Sequence, residues 1–443
     1  MGQGGHSSLA ASFPADGLPV VRVPSMYLCG DEGPPGQSRR GWIAVKDDRQ
    51  LQCIFLTKSA KIQFMAGYVV LGTWNTKKEE LEFVCQEIVR RGHEPIRLDL
   101  STEGAWETRD LAVADAIRRG TTKLTKMMEV EKISGMVAMG GGTNFFMACR
   151  VMENVPLMVP KVVVSTMIVN SIGIFGNYKD IVYLQSPCDF SALNPLSRSI
   201  LGNAVSILTA MVPGLPAAEG ATVAVTNMGI SCGYMDAVKE FWHEKGWAVV
   251  PFHAVGESTM AMAELVKENL FRGVLDLSLH DVLDHLAQGA FGRLDERRVR
   301  SYLAREIPAV LAPGGADTIA YTPDGRPLPP RFRRRNIYKH DFRWGIQATR
   351  KEVVEVARWI GKVMKDTRPG SCLFLIPWKG WSDPGEEGGP FYDRDVIGAF
   401  KKQLMKGMRE EFIIDVDLCL NDPRFGLVAS QYLHGLVEAK WRT

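Results

Sequence analysis

From about residue 66 onward, short apolar runs alternate with longer stretches in which apolar positions recur every three or four residues. "YVVLG" (68–72) is a β-branched run of strand length. In "TKKEELEFVCQEIVRRG" that follows, Leu81, Val84 and Ile88 fall at helical spacing, and Phe83 and Cys85 broaden the apolar face. Thr76 and Glu79 fit a capping box at the start of this helix, and Gly92 fits its stop. "EPIRLDL" predicts a second strand ending near Asp99, which completes a right-handed β-α-β unit. Residues 108–133 predict a helix of mixed charge. "GMVAM", "KVVVS" and "DIVYL" predict three more strands, and "SRSILGNAVSILTAMV" another helix. "PGLPAAEGA" (213–221) has the composition of a domain boundary.

The rhythm then restarts. "TVAVTNMG", "WAVVPFHA", "GVLDLS", "PAVLAPGG", "SCLFLIPWKG" and "FIIDVDLCL" predict strands. "YMDAVKEFWHEKG", "STMAMAELVKENL", "RKEVVEVARWIGKVMKD" and "VASQYLHGLVEAKW" predict helices. Strands alternating with helices give parallel sheets covered on both faces. The fold class is therefore α/β, with two doubly wound, Rossmann-like domains over 66–213 and 219–443. Residues 1–64 are rich in Gly, Pro and Ser and weak in periodicity, which predicts a loosely ordered leader.

Composition narrows the function classes. The 443 residues are 46% hydrophobic and 23% charged, with a net charge of +3. So small a charge gives no reason to expect nucleic-acid binding, and the basic run "PPRFRRRNIYKH" reads as a solvated loop. No apolar run approaches the roughly 18 residues of a membrane span. The eight cysteines contain no C-x-x-C pair, so no disulfide framework or zinc knuckle is expected and a reducing cytoplasm is the simplest compartment.

In open α/β sheets, ligands bind beyond the carboxyl ends of the strands. In the first domain those ends are "GTWNTK" (72–77), Asp99, "GGGTN" (140–144) and "STM" (165–167). Gly140, Gly141 and Gly142 could present backbone N–H groups to a phosphate at a helix start, with Thr143 and Asn144 beside them. The run fits neither G-x-G-x-x-G nor the Walker pattern, so a plain strand-to-helix turn stands beside the phosphate reading. Asp99 suits a ribose hydroxyl, or simply a solvated loop. In the second domain His253, Asp276, Asp317, His340 and Lys379 all follow strands. Together they could perform acid–base work on an oxygen-rich acid in an interdomain cleft. His280 and His285 stand about 140° apart on a helix and read as surface or capping residues. Cys232 precedes a helix, where a nucleophile is conceivable but a neutral thiol is the ordinary reading. No metal site is expected.

Taken in order, "VVLGTWNTKKEEL", "VAMGGGTN", "VPKVVVSTM", "ALNPLSRSILGNA", "VAVTNMG", "FHAVG", "FRGVLDLS", "PAVLAPGGADTIAY", "GGPFYD" and "NDPRF" resemble the Tm-1-like (UPF0261) family from about Tyr68 to Phe425. The resemblance implies two Rossmann-like domains, homodimer formation, and binding of ATP, with Mg²⁺ as an accompanying ion, or of a related small phosphorylated ligand. It places that ligand among Gly72, Thr73, Asn75, the Gly140–Thr143 turn, Ser165 and Thr166. Asn75 stands where the family usually has aspartate, and the glycine turn is shorter than the family's. A plant member carries this region in a virus-resistance protein, so an interaction module is a further expectation.

Overall fold

In the computed structural model, the described residues are 66–103, 109–130, 133–212, 214, 220–323, 325, 327–365 and 371–441. Strand backbone is also described at β1 (Met26–Tyr27), β2 (Trp42–Asp47) and β3 (Gln50–Phe55), which pair antiparallel. The expected leader otherwise lies outside the described residues, as does most of the expected boundary at 213–221.

The first sheet is built from β4 (Gly67–Gly72), α1 (Lys78–Arg90), β5 (Glu94–Asp99), α2 (Arg109–Val130), β6 (Ile133–Gly140), α3 (Gly142–Met152), β7 (Lys161–Ser165), α4 (Ile168–Phe175), β8 (Ile181–Gln185) and α5 (Pro195–Ala210). Its five strands are parallel, in the order β5-β4-β6-β7-β8. The near-continuous apolar strands follow from burial on both faces. Along β4, Val69 and Leu71 pack with α2 and α3, while Tyr68 and Val70 pack with α1 and α5. In β6, Met136 and Ala138 take the first side and Val137 and Met139 the second.

The second sheet comprises β9 (Thr222–Asn227), α6 (Met235–Glu244), β10 (Ala248–His253), α7 (Gly256–Leu265), β11 (Gly273–Ser278), α8 (His280–Ala287), α9 (Arg297–Ala304) and β12 (Ala309–Gly314). After an insertion come α10 (Arg350–Met364), β16 (Cys372–Pro377), α11 (Arg394–Leu404), β17 (Ile413–Val416) and α12 (Pro423–Trp441). Six parallel strands run in the order β10-β9-β11-β12-β16-β17, so the first five places repeat the order of the other sheet. The insertion is a small antiparallel sheet of β13 (Thr318–Tyr321), β14 (Ile337–Lys339) and β15 (Trp344–Gln347), with β15 in the middle. Two Rossmann-like sheets are thus present, both within one compact unit, 66–443. Lys179, before β8, is paired with Glu264 of α7, and Arg293 donates to the carbonyls of Gly173 and Ile174 at 3.0 and 3.1 Å, so polar contacts join the two.

Under the second sheet's strand ends lies a fully buried ionic knot. The Arg298 guanidinium, on α9, donates to both carboxylate oxygens of Asp276 on β11 at 2.5 and 2.9 Å. It also donates to Asp281 on α8 at 2.9 Å and to the Ser278 carbonyl at 3.0 Å. Tyr302 and Thr226 donate to Asp276 at 2.6 and 2.8 Å, and Thr259 to Asp281 at 2.5 Å. We expect Arg298→Met to lower stability by about 3–5 kcal/mol, because two buried carboxylates lose their cation. Urea denaturation checks this, and Asp276→Asn with Asp281→Asn in the same background should recover part of the loss.

Candidate functional site

In both sheets the chain reverses direction across the strand order between the first and third strands, which is where open α/β sheets bind ligands. In the first sheet these are β4 and β6. Gly72, at the end of β4, is paired with Asp99 at the end of β5, and Gly140, at the end of β6, with Ser165 of β7. Gly140 has φ +154°, and a Cβ there would stand 2.8 Å from Asn144 Cβ. Gly141 is the N-cap of α3, and a Cβ there would meet nothing within 4 Å. The amides at the start of α3 are thus approachable, and Thr143 is exposed beside them.

The other first-domain residues serve the turns themselves. The Asp99 carboxylate accepts from Trp74 N at 3.3 Å and from Ser101 N and Oγ at 2.8 and 2.5 Å. Asn75 donates through its backbone N–H to Ser101 Oγ at 3.0 Å and through its amide to the Thr102 carbonyl at 3.3 Å. Asn144 is buried, its amide donating to the Met139 carbonyl at 2.6 Å. Ser165 is buried and accepts from Met167 N at 3.2 Å, and Thr166 presents its carbonyl to Gln185. Thr73 hydrogen-bonds Thr76 at 2.8 Å. That bond replaces the expected capping box. Thr76 and Lys77 N–H groups both turn back to the Thr73 carbonyl, so the helix begins at Lys78 with no side-chain cap.

In the second sheet the corresponding strands are β9 and β11. Here a cavity of about 90 Å³ opens at the strand ends. His253 ends β10, His280 follows β11, and the antiparallel insertion supplies Tyr338, His340, Arg343 and Trp344. His253 and His340 are exposed, whereas His280 is 1% exposed. Gly315, at φ +67°, lies so close that a Cβ would come within 2.9 Å of His280 Cβ, so the "PGG" turn shapes this floor. The His280 ring lies 6.2 Å from Phe291 and its Nδ1 is buried without a hydrogen-bond partner. An unsatisfied buried polar atom costs about 1–3 kcal/mol. Tyr338 stacks on His340 at 6.2 Å. Arg343 is held by Asp341 through Nε and Nη2.

Of the five acid–base candidates, His253 and His340 share this cavity. Asp276 does not line it, being saturated within the Arg298 knot. Asp317 bonds Thr318 and lines a smaller recess with Trp381 and Phe391; burial pushes its pKa up. Lys379 pairs with Asp417 at 3.1 Å. The cavity is lined by residues 228–345 alone, so it belongs to the second sheet and not to a cleft between the two. His280 corrects the surface reading of that histidine: it enters a helix directly from a fully buried strand, and that position was its sequence signal. His285 is exposed, with Nδ1 at 2.9 Å from the Gly292 carbonyl. Burial, with Asp383 and Asp236 nearby, raises the Cys232 pKa, which is the opposite of an activated thiol. Among the described residues, no group of three or more His, Cys, Asp or Glu side chains could hold a metal ion. No helix among them is long and apolar enough to cross a membrane.

Comparison with known proteins places this geometry in a family. A model described as "Uncharacterised protein family (UPF0261) C-terminal domain" matches residues 221–437, and its N-terminal counterpart matches residues 107–216. A UPF0261 protein of Clostridium tetani is 28% identical over 403 residues, covering 84% of this chain and 98% of that protein. One from Rhizobium meliloti is 29% identical over 393 residues, covering 82% and 98%. The ToMV resistance protein Tm-1 of Solanum lycopersicum is 27% identical over 361 residues, covering 78% of this chain and 47% of that protein.

Partial desolvation at the cavity mouth, aided by the nearby His280 and Arg343, holds the His253 pKa below the ordinary 6.5, with Asp281 acting the other way. A lowered folded-state value means that the unfolded chain takes up the proton first as pH falls. The contribution is therefore intact above pH 6.5 and is lost through that value and below it. We expect acidification from about pH 7.5 to 5.5 to lower the melting temperature, and His253→Gln to flatten that dependence. Thermal melts of both proteins across the range provide the check.

Proposed function

The chain belongs to the UPF0261 family, and from that premise we propose that it binds a nucleotide, with ATP the expected one, or a related phosphorylated small molecule at the strand ends of the first sheet. The observation carrying this reading is the start of α3. Consecutive glycines open the helix beside β4, and space is free around Gly141. Backbone N–H groups at a helix start attract anions through their partial positive charge. A side chain at Gly140 would strike Asn144, so glycine is required where the strand turns into the helix. The turns after β4 and β5 supply Thr73, Asn75 and Asp99 along the same edge. Bound ATP would bring its own Mg²⁺ on the phosphate oxygens, and Asn75 would meet that ion with an amide and not a carboxylate.

A second reading, assembly through a protein surface, rests on α4. Val169 and Ile174 are 75% and 64% exposed, and Met167 and Ile172 are exposed beside them. Contiguous exposed apolar side chains mark interaction surfaces. A homodimer is the assembly we propose for this face.

Two measurements follow. Titration calorimetry with ATP and Mg²⁺ should show saturable heat in the natural protein and at least about tenfold weaker binding in Gly141→Asp, whose carboxylate repels phosphate. Absence of heat in both removes the ATP reading. Light scattering should report a dimer that Val169→Asp with Ile174→Asp converts to monomer. An unchanged mass would place the contact elsewhere.

A further inference from the structure

The cavity at the second sheet's strand ends has a chemistry and a size that the phosphate reading does not use. By the measure in which one water needs about 10–15 Å³, its 90 Å³ holds roughly six to nine water-sized groups. That is the scale of a small organic molecule. The walls are mostly apolar, with Met228, Ile230, Phe291 and Trp344, and the polar groups sit at two ends. At the closed end is His280, buried, with Nδ1 unpartnered. At the mouth are His253, His340 and Arg343. An apolar pocket with a few convergent polar groups is the usual form of a small-molecule site.

The charges determine the ligand class. Asp341 engages Arg343 through Nε and Nη2, leaving Nη1 as a donor. The acidic groups that could repel an anion are restrained. Asp281 is paired with Arg298, while burial disfavours charge on Asp284 and Asp317. Burial and Glu386 do the same to Asp383, which lies near His340. The ionised carboxylate that remains is Asp341, which occupies Arg343 Nε and Nη2, so an anion meets Arg343 Nη1 and the imidazoles.

We propose that this cavity binds a small carboxylate, an organic-acid anion of roughly three or four carbons. Arg343 donates to the carboxylate at the mouth, and His280 hydrogen-bonds a polar group at the ligand's far end. Both ends are needed, since a guanidinium alone would take any anion, and the floor imidazole selects acids carrying a second oxygen. The site is independent of the phosphate site on the first sheet.

The test uses the full chain with lactate and malonate as probes, and lactamide and malonamide as uncharged counterparts. Calorimetry should show binding of at least one acid and of neither amide. Spectra of the ¹⁵N-labelled imidazoles should shift for the cavity histidines and not for His243 or His434. Arg343→Gln should weaken binding at least tenfold, and His280→Asn should do likewise. Should His280→Asn fail to fold, Arg343→Gln decides alone, because its side chain is partly exposed. ATP should not compete. The proposal falls if neither acid binds, if the amides bind equally, if Arg343→Gln binds as well as the natural protein, or if ATP displaces the acid.

Discussion

The buried contact between Arg298 and the carboxylates of Asp276 and Asp281 is the constraint on which the second half of the molecule depends. It joins a central strand, the helix that follows it and the helix after that. The guanidinium also donates to the carbonyl of Ser278, the last residue of β11, two residues before His280. Such a knot adds little net stability over an apolar core of equal volume, because desolvation offsets most of the attraction. What it fixes is position. Any slip of α8 against β11 would leave a carboxylate or a guanidinium unpaired in the interior, so the first turn of α8 and its imidazole have a single place to be.

The two sheets apply one topological rule to different side chains. Strand order is shared over five positions, so each sheet has a crevice between its first and third strands. In the first, that crevice is edged by glycine and backbone N–H groups. In the second, imidazoles stand in the same relation to the strands and an antiparallel insertion covers them. Backbone donors favour an anion of any outline, whereas an enclosed set of side chains selects by shape and by hydrogen-bond pattern. The fold therefore does not decide the ligand; the turns do.

Much of the architecture was legible in the apolar rhythm. Strands such as "KVVVS" and "GVLDLS" are buried on both faces, and their continuous apolar character announces that directly. What escaped was local competition and remote contact. Thr76 and Glu79 have the spacing of a capping box, yet Thr76 turns to Thr73. Thr349 and Glu352 have the same spacing and form the box at the start of α10. The difference lies in the turn before the helix, which the spacing does not encode. "RRRNIYKH" looked like a charged loop because its strand is three residues long and its partner, β15, is supplied by tertiary contact. Among the five acid–base candidates, the rule of position after a strand took in Asp276, which lies within β11, and His340, which follows a strand of the insertion. It could not separate Asp276, whose charge is taken by Arg298 from another helix, from His253, which stays at the cavity.

The insertion between β12 and α10 has a consequence for how such a protein changes over time. It contributes Tyr338, His340, Arg343 and Trp344 to the cavity, but the central strands of the six-stranded sheet pair without it. The hydrophobic cores answer to folding, and a substitution there is judged by stability. At the cavity, His340 and Arg343 stand outside these cores, while Tyr338 and Trp344 also pack against them. Substitutions in this one contiguous stretch of chain can therefore reshape one wall of the cavity while the scaffold beneath stays as it is.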